Sequence, residues 1–150
     1  MTDTMTDTKP SPAPLAAHGA DPLSGRFVTP GDNTISLRVL LLAALTVGRS
    51  SISGLRACHD VLTLAAALRQ LGVSIVQHGN DWQVHGLGVA GLLEPQEPLQ
   101  PGHSVDGMPL LLGLLAPYNF VTRFAAGPRL GRAALAALSD GLGAMGARLE

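Results

Sequence analysis

Apolar positions along this chain recur with two periods. Val61, Leu64, Ala65, Leu68 and Leu71 fall at i, i+3, i+4, i+7 and i+10, the spacing of one helix face. Asp60 is the expected N-cap of that helix and Gly72 its left-handed stop. Residues 73–77 and 82–85 alternate instead around Gly79-Asn80-Asp81, which predicts a β-hairpin. The run 39–47 has no polar side, so a buried helix is expected over 35–47, closed by Gly48, with short strands at 23–28 and 50–55. These elements read β-α-β-α-β-β.

The same order then starts again. Pro30-Gly31-Asp32 precedes the run 39–45, and 71 residues later Pro101-Gly102-His103 precedes 110–115 in the same register. Residues 68–75 are echoed by 142–149 at an offset of 74. Low-complexity Leu/Ala composition imitates part of such a match, but not Pro-Gly and Leu-Gly punctuation at consistent offsets. The second copy predicts helices near 108–116 and 132–145, a strand at 120–125 and a strand begun at 147–150. Unit one is expected over about 23–88 and unit two over about 89–150. The last hairpin strand of unit two has no counterpart before Glu150, so an exposed strand edge and an uncovered helix face are expected.

Composition narrows the function. At 46% hydrophobic and 14% charged residues, the chain has the content of a globular body rather than of disorder throughout. The opening 1–22, rich in Thr, Pro and Ala and with MTDT twice, is expected to be a disordered leader; it lacks the basic start and apolar core of a secretory signal. A net charge of −1 and 3% aromatic residues argue against nucleic-acid binding. The apolar runs are too short to span a bilayer, which needs about 20 residues, so no membrane partner is expected. Cys58 is the single cysteine, which suits a reducing, cytoplasmic compartment. The single lysine is Lys9, so the folded body has none.

The segment with most chemistry is Pro30-Gly31-Asp32-Asn33-Thr34-Ile35-Ser36-Leu37-Arg38. A Pro-Gly turn there delivers polar groups onto a helix N-terminus, where free N–H donors and the helix dipole favour an anion and Arg38 adds a fork of donors. A helix cap with a surface arginine accounts for the same pattern. Cys58-His59 reads as structural rather than as a nucleophile and base, and His78 and His85 flank the hairpin without facing each other; no metal site is expected.

This segment resembles the opening motif of the 5-enolpyruvylshikimate-3-phosphate (EPSP) synthase family, Pro-Gly-Asp-Lys-Ser-Ile-Ser-His-Arg, at six of nine positions. The resemblance continues through Ile52-Ser53-Gly54-Leu55, Asp60-Val61-Leu62, 68–72, Val84-His85-Gly86 and Gly91-Leu92-Leu93-Glu94-Pro95, and so covers essentially everything after the leader. It implies an α+β fold of tandem β-α-β-α-β-β units, part of a lobe arranged like an inside-out barrel, with the second unit incomplete. The implied reaction moves the enolpyruvyl group of phosphoenolpyruvate to the 5-hydroxyl of shikimate 3-phosphate, releasing phosphate, with no metal or organic cofactor. It serves chorismate and aromatic amino acid biosynthesis, and implies small phosphorylated substrates as partners.

Matched residue by residue, the resemblance places the lysine that contacts both substrates on Asn33, the neighbouring serine on Thr34 and the shikimate-phosphate arginine on Arg38. In the second motif the glycine that admits phosphoenolpyruvate falls on Val105, the threonine on Asp106 and the arginine on Pro109. In the third, after Pro128-Arg129-Leu130, the arginine falls on Ala133; Arg132 would serve only with a one-residue shift. Substrate binding is therefore expected at Asn33, Thr34 and Arg38, the phosphoenolpyruvate positions Val105, Pro109 and Ala133 are degenerate, and no catalytic set is intact. Three expectations follow: a family member inactive by itself, a non-catalytic anion-binding module built from Thr34, Ser36 and Arg38, or a decayed fragment. A separate chain carrying the missing lobe is a further possible partner.

Overall fold

The computed structural model describes residues 16, 18, 19, 22, 24–100, 106–125 and 131–149. The expected leader lies almost wholly outside them, as do Val105, the Pro101-Gly102 turn and Pro128-Arg129-Leu130. Among the described residues seven elements form: α1 Asn33–Leu45, β1 Val47–Ser53, α2 His59–Gln70, β2 Ser74–His78, β3 Asp81–Leu87, α3 Gly107–Leu115 and α4 Arg132–Ala144. The fold is α+β, with an antiparallel sheet of order β1-β3-β2 among the described residues.

The hairpin forms as the alternation requires. His78 pairs with Asp81 across a two-residue Gly79-Asn80 turn, and Ile75 lies opposite Val84. Trp82, Val84 and Ile75 turn their side chains inward, where Leu37, Leu40 and Ala44 of α1 and Val61, Leu64 and Leu68 of α2 meet them. Helix α1 is apolar almost all round, which suits an element covered on most sides. Leu111 and Leu115 of α3, with Leu92 and Leu99 from the connection, extend this core. Among the described residues, none of α4 joins it.

Several expected boundaries move for identifiable reasons. Helix α1 ends at Leu45 rather than Val47: Thr46 turns to extended backbone (φ −79°, ψ 158°) while its hydroxyl donates to the Ala43 carbonyl (2.8 Å). Gly48 then lies inside β1. Helix α2 is capped by Cys58 rather than Asp60, whose carboxylate is spent on Asn33 instead of on its own helix's N–H groups.

Three expected strands are absent among the described residues. Residues 24–28 are irregular, with Phe27 and Val28 exposed and no partner strand beside them. Residues 120–125 form only one isolated parallel bridge, Phe124 to Leu99. Only the Leu99 N–H to the Arg123 carbonyl (2.8 Å) and the Ala125 N–H to the Leu99 carbonyl (2.9 Å) join the two segments. Residues 147–149 are likewise irregular.

Candidate anion site at the start of helix α1

Local sequence chemistry builds this site first. Asp32 caps α1, its carboxylate accepting from the Ile35 N–H at 2.8 Å. Ser36, 2% exposed, donates its hydroxyl proton to the Asp32 carbonyl (2.6 Å) and accepts from the Arg56 N–H (3.0 Å). That hydroxyl is consumed in tying the turn to the loop after β1, so it is not available to a ligand, and the expected anion module loses Ser36. Gly31 lies against the same loop: a Cβ there would meet the Gly54 carbonyl oxygen at 2.2 Å and the Arg56 nitrogen at 2.9 Å.

Asn33 and Thr34 follow on the first turn, both half-buried. The Asn33 amide donates to Asp60 Oδ2 (3.3 Å), while its carbonyl accepts from Cys58 Sγ (2.9 Å). The Thr34 hydroxyl donates to Asp106 Oδ2 at 3.4 Å. Asp106 is the N-cap residue of α3, so the starts of two helices meet here across 72 residues of sequence. Arg38 is exposed and uses one guanidinium nitrogen on the Thr34 carbonyl at 3.1 Å.

The remaining sequence candidates are placed apart or differently. Pro109 is the third residue of α3, where its missing N–H is among the four a helix start leaves unpaired. Ala133 is exposed near the start of α4. His78 faces Asp81 and His85 faces Ser74 and Arg49 in the sheet. No group of three metal-ligating side chains converges among the described residues. No described helix is long and apolar enough to cross a membrane. What sequence reasoning missed are the partners of Asn33 and Thr34. Asp60 could have been suspected because a carboxylate in a first helical turn is free to face outward; the Asp106 contact had no local signal.

A small α+β fold in which a Pro-Gly-Asp turn sets polar groups on one helix start, opposed by a second helix start, is consistent with part of a larger fold found in solved relatives. The family profile of EPSP synthase (3-phosphoshikimate 1-carboxyvinyltransferase) matches residues 17–150. A 3-phosphoshikimate 1-carboxyvinyltransferase of Sphingopyxis alaskensis is 40% identical over 147 residues, covering 97% of this chain and 32% of that one. The protein of the same description from Zymomonas mobilis is 40% identical over 138 residues, covering 91% and 30%. The solved EPSP synthase of Acinetobacter baumannii superposes with a TM-score of 0.76 at 30% identity, covering 83% of this chain and 28% of that one. The chain therefore belongs to the EPSP synthase family, and it spans about a third of the length of the curated relatives it matches.

Proposed function

We propose that this chain is a non-catalytic member of its family, a scaffold unit in which the pocket for phosphorylated substrates has been converted from cationic to acidic. The observation that carries this reading is the pair of carboxylates on the first turn of α1, Asp60 on Asn33 and Asp106 on Thr34. A helix start favours an anion by about 0.3–1 kcal/mol, and up to ~2 kcal/mol in partly buried geometry. A unit negative charge roughly 4 Å from a carboxylate costs about 1 kcal/mol in water and about 4 kcal/mol near a protein surface. Two carboxylates this close to the helix start offset its attraction for a phosphate dianion.

The family's transfer of an enolpyruvyl group requires two such anions side by side. Each lost positive or hydrogen-bonding contact to a transition state removes roughly 3 kcal/mol, and Asn33, Pro109 and Ala133 stand at three cationic positions. The fold body holds no lysine from which another register could supply the charge. Purified protein incubated with shikimate 3-phosphate and phosphoenolpyruvate is expected to release phosphate no faster than a protein-free blank. Turnover above that blank would overturn the reading.

A second reading is supported by one feature, the exposed guanidinium of Arg38, which has donors beyond the one it spends on Thr34. Under it the chain binds shikimate 3-phosphate weakly in the cytoplasm without converting it. Calorimetric titration separates the two: a binding heat that disappears in Arg38→Ala favours residual binding, and flat traces for both proteins favour the scaffold.

A further inference from the structure

The sheet has an outer face, and the register of its strands sets what stands there. Trp82 and Val84 of β3 are buried against the helices, so Asp81, Gln83 and His85 turn the other way. Directly opposed residues share a face. Arg49 and Ser74 therefore flank His85 in one row, Ser51 lies beside Gln83 in the next, and Ser53 beside Asp81 in the third. Arg49, Ser51, Ser74 and His85 are all exposed.

Opposed β carbons lie about 4.5–5.5 Å apart, so the first row sets a guanidinium, an imidazole and a hydroxyl side by side across three strands. Among the described residues neither the Arg49 nor the His85 side chain has a hydrogen-bond or ion-pair partner. Each of the three groups carries a donor, as does Ser51 in the next row. Asp81 is the single carboxylate that β1, β2 and β3 contain. It stands four residues along β3 from His85, roughly 13 Å, which exceeds the ~8 Å Debye length at physiological salt. Its carboxylate already accepts from the Ser53 hydroxyl at 2.7 Å. Within the sheet, then, nothing offsets the attraction of the Arg49 row for an anion, the reverse of the start of α1.

The geometry points to the Arg49–His85 row as an anion site that takes a small free oxyanion of the phosphate class. The guanidinium fork matches two phosphate oxygens at once. His85 and the Ser51 and Ser74 hydroxyls supply further donors around it. A flat patch with one permanent cation lacks the charge to hold a polyanion, which limits the ligand to one or two phosphate groups. The site lies on the side of the sheet away from α1, so this inference does not depend on whether the α1 start binds or repels anions.

The probe is inorganic pyrophosphate, added to the full chain at constant pH and ionic strength while amide proton–nitrogen correlation spectra are recorded. Saturable shifts are expected at Arg49, Ser51, Ser74 and His85. Arg49→Ala should weaken binding roughly tenfold or more, and His85→Gln, which keeps a donor, by less. Both side chains are exposed, and the amides of the core residues Val61 and Leu68 report that each variant is folded. Should Arg49→Ala fail to fold, Arg49→Gln gives the same comparison. Arg38→Ala should leave the sheet shifts unchanged. The inference is overturned if the sheet amides do not saturate, or if a folded Arg49 variant binds like wild type. It is also overturned if Arg38→Ala abolishes the shifts, which would assign the anion to α1. Phosphatidylglycerol vesicles should sediment no more of the chain than phosphatidylcholine vesicles do. An excess that Arg49→Ala removes would overturn the assignment to a free ligand in favour of a lipid headgroup.

Discussion

Trp82→Ala should be the most destabilising single truncation in the described core. Trp82 is 1% exposed, the largest of the fully buried side chains, and sits on the central strand β3 between the hairpin turn and both core helices. Truncating a buried aromatic residue costs roughly 3–5 kcal/mol once the cavity is included, against a total stability of about 5–15 kcal/mol for a typical domain. The thermal midpoint should fall by roughly 10 °C or more. Its indole N–H is buried without a hydrogen-bond partner, a defect that already costs about 1–3 kcal/mol. Trp82→Phe therefore loses area but also removes the orphan donor, and should cost less than half as much as alanine. Urea melts of the three proteins check this; an alanine variant within about 1 kcal/mol of wild type would place the centre of the core elsewhere.

The elements that were legible in the sequence are those whose cause is local. The α2 stripe and Gly72 are set by residues a turn or less apart, and the hairpin by alternation around two turn residues; both form close to the expected bounds. Helix α1 begins two residues before its expected start, since Asp32 provides the cap and Asn33 the first turn. What failed was pairing. Residues 24–28 and 120–125 have strand-like composition, but a strand exists only where a partner offers consecutive donors and acceptors, and Phe124 is bridged to Leu99 alone.

The site divides along the same line. The turn, the cap and the exposed Arg38 followed from the motif, as did the absence of lysine. Which carboxylates meet Asn33 and Thr34 did not, because those contacts span 27 and 72 residues and depend on how α2 and α3 are brought to the start of α1. Ser36 shows the opposite error. A hydroxyl beside a helix start looks like a ligand donor in sequence, yet its position on the inner face of α1 directs it to the loop at Arg56.

Gly31→Ala is expected to be nearly as damaging as the loss of the tryptophan. No unusual backbone angle is required at this residue, so the penalty arises from contact alone. The new methyl group would fall 2.2 Å from the Gly54 carbonyl oxygen and 3.3 Å from the Leu55 carbonyl carbon, and backbone atoms cannot rotate away as a side chain can. Overpacking costs typically 1–3 kcal/mol, and here roughly the top of that range or more. Gly54→Ala is the discriminating control: its φ is 77° but open space surrounds it, so it pays only the left-handed penalty of about 1–2 kcal/mol. Because Ser36 and Gly31 hold the turn to residues 54–56 jointly, lifting the turn also loosens Asn33 from Cys58. Gly31→Ala should therefore speed labelling of the Cys58 thiol by a chromogenic disulfide under native conditions, and Gly54→Ala should do so much less. Equal labelling rates, or a larger loss of stability in Gly54→Ala, would mean that backbone conformation rather than close docking of the Pro-Gly-Asp turn fixes the geometry of the site.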